Sequence, residues 1–365
     1  MFKCSFSEDD KRYLKLALDL AALVKGTTSP NPSVGAVIVN RNVIVGMGAT
    51  QTPGKDHAEI VALKKAGEKA RGATLYVNME PCCHFGRTAP CSDAIINACI
   101  KKVVCSMQDP NPIVNGKGFA KLKTNGICVL NGLFRKEAYF LNREYIKFIK
   151  TGRPFVTLKL AMTLDGRIAD SMGNSKWITG IEMRKKIHRM RSQHDAVMVG
   201  CGTVLKDNPR LTVRYVKGNF PARVIIDPEL KIGKDFFLAR TAKKIRTIII
   251  HSRKNIGHRV WEGAEYLHVK GKNSMSVPGI LKSLAACGIT SVLVEGGGRL
   301  ASSFVRENAV DRYCFCYGAL ILGEGINGIE QSGVKLLKKA IKLCDINVEN
   351  CGNDILITGY PLKKA

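Results

Sequence analysis

His57-Ala58-Glu59, then Pro81-Cys82, then Cys91 is the feature that most constrains the fold of this chain. One imidazole and two thiolates can hold Zn²⁺ and leave its fourth position open to water. Water on such a zinc has a pKa near neutrality. Glu59 follows the imidazole by two residues and is placed to take a proton from that water and pass it to a leaving amine. A fold that serves this chemistry must bring the start of a helix, the end of a strand and the start of a second helix to one point.

The surrounding residues support that reading. Glu80-Pro81-Cys82 follows the apolar run Thr74–Val77 after two residues, which puts Cys82 at a strand-to-helix junction. Free N–H groups and the helix dipole favour a thiolate there. The chemistry that fits is zinc-assisted hydrolytic deamination. The alternatives are buried cysteines or a structural zinc site. A structural site wants a fourth protein ligand, for which Cys83 or His84 could serve, and it leaves Glu59 without a task.

The chain has 365 residues, enough for two domains with a core in each. No apolar run is long enough to span a membrane, and residues 1–12 lack an apolar signal core. Thirteen cysteines, scattered and many in apolar stretches, suit a reducing cytoplasm better than a disulfide framework. The formal net charge of +27 raises nucleic-acid binding as a possibility, but the basic residues are spread along the whole length. A lysine-rich surface on an enzyme with phosphorylated ligands accounts for them, and no nucleic-acid partner is expected.

Ser7 followed by Glu8-Asp9-Asp10 predicts a capped helix that ends by Gly26. Residues 34–39 and 43–45 read as a hairpin around Asn40-Arg41-Asn42. A helix over about 56–69, the strand Thr74–Val77, a helix over about 92–100 and a strand over 103–107 follow. This alternation predicts a three-layer α/β domain around a mixed sheet. A helix-like stretch, 134–149, leads to a break near Lys150-Thr151-Gly152-Arg153-Pro154, which sets domains at 1–150 and 151–365. The second half predicts strands at 155–160, 196–199, 223–226, 247–250, 291–294, 313–317 and 355–358, with helices at about 181–191, 277–286 and 300–307.

In the second half, Val294-Glu295-Gly296-Gly297-Gly298-Arg299-Leu300 is a strand end, three glycines and a helix start. Such a turn can bring N–H groups to a dinucleotide phosphate, though it is not G-x-G-x-x-G and also serves as a plain tight turn. The Thr163–Arg167, Ser175–Thr179 and Thr203–Arg214 stretches are not decisive on their own physics.

Taken together, these residues resemble the bifunctional riboflavin-biosynthesis deaminase–reductase family over nearly the full length. The first half carries Pro30-Asn31-Pro32-Ser33-Val34-Gly35, His57-Ala58-Glu59, Glu80-Pro81-Cys82 and Asp109-Pro110-Asn111-Pro112. The second carries Thr163-Leu164-Asp165-Gly166, Trp177-Ile178-Thr179, Thr203 to Arg214 and Glu295 to Leu300. The resemblance implies a cytidine-deaminase-like three-layer α/β/α domain followed by a dihydrofolate-reductase-like α/β domain. It implies removal of the 2-amino group of a diamino-ribosylamino-pyrimidinone 5′-phosphate, then reduction of the ribosyl chain to ribityl with NADPH.

By position, His57, Cys82 and Cys91 would bind Zn²⁺ with Glu59 as proton carrier, and Asn31, His84, Arg87, Asp109 and Asn111 would line the deaminase pocket. Ala161, Trp177, Thr203, Asp207, Gly297, Gly298, Arg299, Leu300, Ala301, Ser302 and Ser303 would contact NADPH. Lys159, Ser175, Arg191, Leu211, Arg214 and Glu295 would hold the reductase substrate, with Arg191 and Arg214 as bidentate phosphate donors. A cytoplasmic homo-oligomer acting on small phosphorylated pyrimidines is the expectation. The eight residues between Cys82 and Cys91 separate the chain from nucleic-acid deaminases, which usually carry C-x-x-C. Two departures from the family pattern stand out: Cys83 where a serine is usual, and Pro228 near the cofactor, without a side-chain donor.

Overall fold

The computed structural model describes residues 6–86, 89–257, 260–270, 275–330 and 332–362. The chain divides into two compact units, Met1–Gly152 and Arg153–Ala365.

The first unit runs α1 (Glu8–Leu23), β1 (Gly35–Asn40), β2 (Val43–Ala49), α2 (Ala58–Ala66), β3 (Thr74–Val77), α3 (Cys91–Asn97), β4 (Lys102–Cys105), α4 (Lys117–Thr124), β5 (Cys128–Asn131), α5 (Arg135–Leu141) and α6 (Arg143–Thr151). Ser7 caps α1 in a reciprocal box with Asp10, both bonds 3.1 Å. Arg41 and Asn42, both at positive φ, turn the β1–β2 hairpin. The strands order as β2-β1-β3-β4-β5, with β3, β4 and β5 parallel and β1 antiparallel to both neighbours. Period-two alternation splits the core. Ala36, Ile38, Leu75, Val77 and Val103 pack under α2, α3 and α4, while Val37, Val39, Tyr76 and Val104 pack under α1. A Cβ at Gly46 or Gly48 would run into the carbonyls of Ala62 and Ala58. Glycine at those two positions therefore lets α2, with Glu59 in its first turn, lie hard against β2.

The second unit runs β6 (Phe155–Thr163), β7 (Arg167–Ala169), α7 (Ile181–Ser192), β8 (Ala196–Gly200), α8 (Cys201–Asp207), β9 (Ala222–Ile226), α9 (Phe237–Arg240), β10 (Thr247–His251), β11 (Ala264–His268), α10 (Val277–Ala286), β12 (Ser291–Val294), α11 (Gly298–Arg306), β13 (Arg312–Gly318), β14 (Ile326–Asn327), β15 (Leu343–Cys351) and β16 (Asp354–Pro361). The main sheet orders as β11-β10-β9-β8-β12-β6-β13-β16-β15 and is parallel up to the β16–β15 hairpin at one edge. Helices α10 and α11 cover one face and α7 covers part of the other. The C-terminal ends of β6, β8 and β12 meet at the centre, where open α/β sheets bind ligands.

Several elements differ from the sequence expectation. The segment 117–131 forms α4 and β5, which were not anticipated, and the stretch 134–149 divides at Asn142 into α5 and α6. Asn142 is buried and grips both backbone groups of Ser33. Residues 201–207, for which no helix was expected, form α8, and β11 and β15 are further strands.

Candidate active sites

In the first unit, His57 occupies the N-cap of α2, Cys82 lies in the loop after β3, and Cys91 begins α3. Their ligand atoms all lie within 4.8 Å of one another. His57 Nδ1 is 3.6 Å from Cys82 Sγ and 3.3 Å from Cys91 Sγ. One nitrogen and one sulfur on a tetrahedral zinc stand about 3.6 Å apart, so the set fits that ion. Among the described residues no fourth His, Cys, Asp or Glu joins the group. Cys83 stays out of it, with Sγ 4.0 Å from the Ile113 carbonyl. That removes the fourth ligand a structural site would need.

The electrostatics suit metal binding and proton transfer. A hydrogen bond from the Cys91 thiol holds Cys82 well down, to about 4, with His57 adding to it against burial. The same bond pushes Cys91 up, so the pair carries one readily formed thiolate. The Cys91 N–H also points at the Cys82 sulfur, at 3.3 Å. Burial and then the Cys82 charge push Glu59 up to about 7.

Around this centre, burial raises Asp109 to about 6, and its carboxylate accepts from Tyr145 Oη and the Asn111 N–H. The loop holding both is fixed from below by Glu80, which accepts backbone N–H bonds from Asp109, Gly116 and Phe119. His84 Nδ1 is buried with no hydrogen-bond partner among the described residues. Asn31 sits in the loop pinned through Ser33, and no hydrogen bond among the described residues ties its side chain to the three ligands. Arg87 lies outside the described residues. Tyr145 and Glu80 were not singled out as site residues by sequence, although Glu80 stands in the quoted motif.

In the second unit a cleft of about 1340 Å³ opens at the strand ends. A pocket for one small ligand spans roughly 300–1,000 Å³, so this cleft has room for two. It is lined by Lys159, Ala161, Ser175, Trp177, Arg191, Thr203, Asp207, Leu211, Arg214, Glu295, Gly297, Gly298, Arg299, Leu300 and Ser303, all expected from the sequence, and by Pro228. A Cβ on Gly296 would meet Leu300 at 2.7 Å and one on Gly298 would meet the Asn327 carbonyl at 2.8 Å, but one on Gly297 would meet nothing within 4 Å. The backbone at the start of α11 is therefore open to the cleft, a cradle fit for a cofactor phosphate.

One expectation needs correction here. Ala301 and Ser302 do not line the cleft: Ala301 packs into the core, and Ser302 Oγ accepts from the Glu330 N–H. Their helix turns them away from the strand ends. Arg191, which lines the cleft as expected, is also engaged by its neighbours. Its Nε and one terminal nitrogen fork onto Glu295 at 2.6 and 3.0 Å, and the other donates to the Thr212 carbonyl. Burial alone would raise Glu295, but Arg191 and then Lys159, whose Nζ is 3.8 Å away, hold it down at about 2. The sequence reading missed Arg184, His188 and Tyr215, which also line the cleft. Burial and the charges of Arg191 and Arg214 push His188 down to about 4, and its Nδ1 accepts the Arg214 N–H at 2.8 Å.

Comparison with known proteins gives a consistent picture. Residues 7–107 match the cytidine and deoxycytidylate deaminase zinc-binding region, and residues 154–357 match the RibD C-terminal domain. The riboflavin biosynthesis protein RibD of Aquifex aeolicus is 46% identical, with 96% of this chain and 98% of that one covered. The Escherichia coli RibD is 36% identical, with 95% and 98% covered. Among solved structures, a diaminohydroxyphosphoribosylaminopyrimidine deaminase/5-amino-6-(5-phosphoribosylamino)uracil reductase from Thermotoga maritima matches at 38% identity with TM-score 0.88, covering 97% of this chain and 99% of that one.

Proposed function

The chain belongs to the RibD family, and from that premise we propose that its two sites act in sequence on one phosphorylated pyrimidine. It is a bifunctional enzyme of riboflavin biosynthesis, a zinc-dependent deaminase and an NADPH-dependent reductase. The cluster of His57, Cys82 and Cys91 with Glu59 buried beside it carries the reading. The first unit, about 1–150, is assigned the deamination, and the second, about 151–365, the reduction.

In the first step the 2-amino group of 2,5-diamino-6-(ribosylamino)-4(3H)-pyrimidinone 5′-phosphate leaves as ammonia. His57 Nδ1 and the sulfurs of Cys82 and Cys91 would hold the zinc, which when bound would supply an acidified water. Glu59 takes the proton of that water and delivers it to the departing nitrogen. A carboxylate raised to about 7 can do both near neutrality. Asp109 and Asn111, held by Tyr145 and Glu80, are assigned to the polar edge of the ring, and Asn31 and His84 to the rest of the pocket; Arg87 keeps its expected role by sequence position alone.

In the second step NADPH, when bound, would supply the hydride that the sugar carbon C1′ receives. The C1′–O4′ bond breaks as the hydride arrives, and O4′ takes a proton. Lys159, the ammonium over Glu295, is assigned to deliver that proton. Arg191 keeps Glu295 in place through its fork. The backbone at Gly297 and Gly298, with Arg299, Leu300 and Ser303, would hold the cofactor phosphates, and Ala161, Trp177, Thr203 and Asp207, which line the same cleft, its remaining parts. Ser175, Leu211 and Arg214 face the substrate.

No helix among the described residues is long and apolar enough to cross a membrane. A cytoplasmic homo-oligomer that binds small phosphorylated pyrimidines and no nucleic acid completes the proposal. The test is a coupled assay on the purified protein. Ammonia release should precede NADPH oxidation, and oxidation should require the deaminated product. Stripping zinc should stop the first step and spare the second when the deaminated product is supplied. Ammonia release that survives metal removal would overturn the assignment.

A further inference from the structure

We propose that the first turn of α6 is a clamp for the deaminase pocket: Asn142 holds the loop that bears Asn31, Tyr145 holds the loop that bears Asp109 and Asn111, and both are positioning residues for the deamination. This rests on the deaminase reading and adds two residues that act on the substrate through others.

The two pocket loops cannot hold themselves. Residues 24–34, before β1, and 106–116, between β4 and α4, form neither helix nor strand. Their backbone groups therefore need partners from outside. Pro30 and Pro32 flank Asn31 and have no N–H to donate, so the first loop is fixed through Ser33.

Asn142 stands at the N-cap of α6, where an asparagine ordinarily accepts from its own helix. It makes no such bond. Its amide is turned to Ser33 instead, accepting the N–H at 2.7 Å and donating to the carbonyl at 3.0 Å. A primary amide so placed does the work of a neighbouring strand. Asn78, at the end of β3, grips the other side: it donates to the same carbonyl at 3.1 Å and accepts the Gly35 N–H at 2.8 Å. Both asparagines are buried. Asn31, two residues from Ser33, donates its N–H to the Thr28 carbonyl, and Thr28 Oγ1 meets Ser33 Oγ.

Three residues on, Tyr145 serves the second loop from the same helix face. Its Oη donates to both oxygens of Asp109, at 2.9 and 3.2 Å. Burial and then the Asp109 charge push the phenol up, so it remains a donor at any working pH. Asp109 in turn accepts the Asn111 N–H, and Asn111 Oδ1 accepts the Ile113 N–H. The turn that carries the clamp is itself anchored. Ile146 packs in the core, and Lys25, where the first loop begins, pairs with Glu144 at 3.0 Å and donates to the Leu141 carbonyl.

Hydrogen exchange of the full-length zinc protein, read by mass spectrometry, tests the clamp without substrate. Y145F keeps the ring and loses the hydroxyl; exchange over 109–113 should quicken by about fivefold or more. N142D keeps an acceptor for the Ser33 N–H and loses the donor; exchange over 31–35 should quicken by about as much. In each variant the KM of the diamino-pyrimidine 5′-phosphate should rise by about fivefold or more with kcat within about twofold, the signature of lost binding. Zinc content, and NADPH oxidation on pre-deaminated substrate, should stay at wild-type values. Should N142D fail to fold, N142S is read in its place. Exchange at the wild-type rate, or a KM within about twofold of the wild type, in either variant overturns the proposal. So does a variant that releases its zinc, because the role is then one of general stability. Loops that loosen as expected in a protein whose wild type releases no ammonia would instead defeat the deaminase reading and leave the clamp standing.

Discussion

Each half of the molecule holds a buried glutamate at its site, and the two lie at opposite ends of the carboxylate range. Glu59 is pushed up to about 7 and Glu295 is held down at about 2. Burial disfavours the charge in both, so burial cannot explain the difference. The neighbours do. Glu59 faces the negative charge of Cys82, whereas Glu295 is forked by Arg191 and approached by Lys159. The first can trade a proton near neutrality. The second stays an anion at any working pH and can only hold and orient cations.

The change with the largest expected effect removes the proton carrier. E59Q should lower ammonia release by roughly 10²–10⁴-fold. Its zinc content, measured by atomic absorption, should stay that of the wild type, and NADPH oxidation on pre-deaminated substrate should be unaffected. Ammonia release within a few-fold of the wild type would mean that the two glutamates do not differ in the way their surroundings imply.

The same contrast explains what could be read from sequence. Zinc accepts few side-chain types, so His57, Cys82 and Cys91 announce themselves; His57 and Cys91 stand at helix starts and Cys82 in the loop between β3 and α3. Strands β6, β8, β9, β10 and β12 are covered on both faces and so appear as unbroken apolar runs. Strand β15 forms the sheet edge and exposes most of its residues, leaving no run to see. Helix α8 is short and opens with Cys201-Gly202, too brief for a helical period. Glu80 was visible as a residue but not as an anchor, because its partners are the backbone N–H groups of a loop. Arg184 and His188 carried one readable signal, their spacing with Arg191 on a single helix face. That signal names a face and not a ligand. Arg191 was legible as a cation but not as one already paired, since it stands on α7 and its partner Glu295 arrives from the end of β12.

Breaking that pair is the next sharpest test. R191M removes the fork and leaves Glu295 buried beside Lys159 alone. Loss of one partner of a buried ion pair costs about 3–5 kcal/mol, measured here as a fall in stability by urea unfolding. The double variant R191M/E295Q should recover much of the loss, because the stranded charge is gone. A cost below about 1 kcal/mol for R191M would place the Arg191–Glu295 fork among weak surface pairs. The electrostatic distinction between the two glutamates would then lose its cause.

The smallest expected effect concerns His188, whose low pKa comes from burial first and then from Arg191 and Arg214. Unfolded, the ring titrates at 6.5, and folded at about 4. Between those values the unfolded chain binds the extra proton, so folding stability rises with pH across that window and falls as pH drops through it. Below about 4 both states are protonated and this contribution levels off. By about pH 5.5 the loss should be on the order of 1 kcal/mol relative to neutral pH. Urea midpoints of the wild type and H188Q, compared at neutral pH and near pH 5.5, isolate it: the wild type should lose more on acidification than the variant. Equal losses would mean that the ring titrates alike in both states. Burial and the charges of Arg191 and Arg214 would then not be strong enough to keep the imidazole neutral.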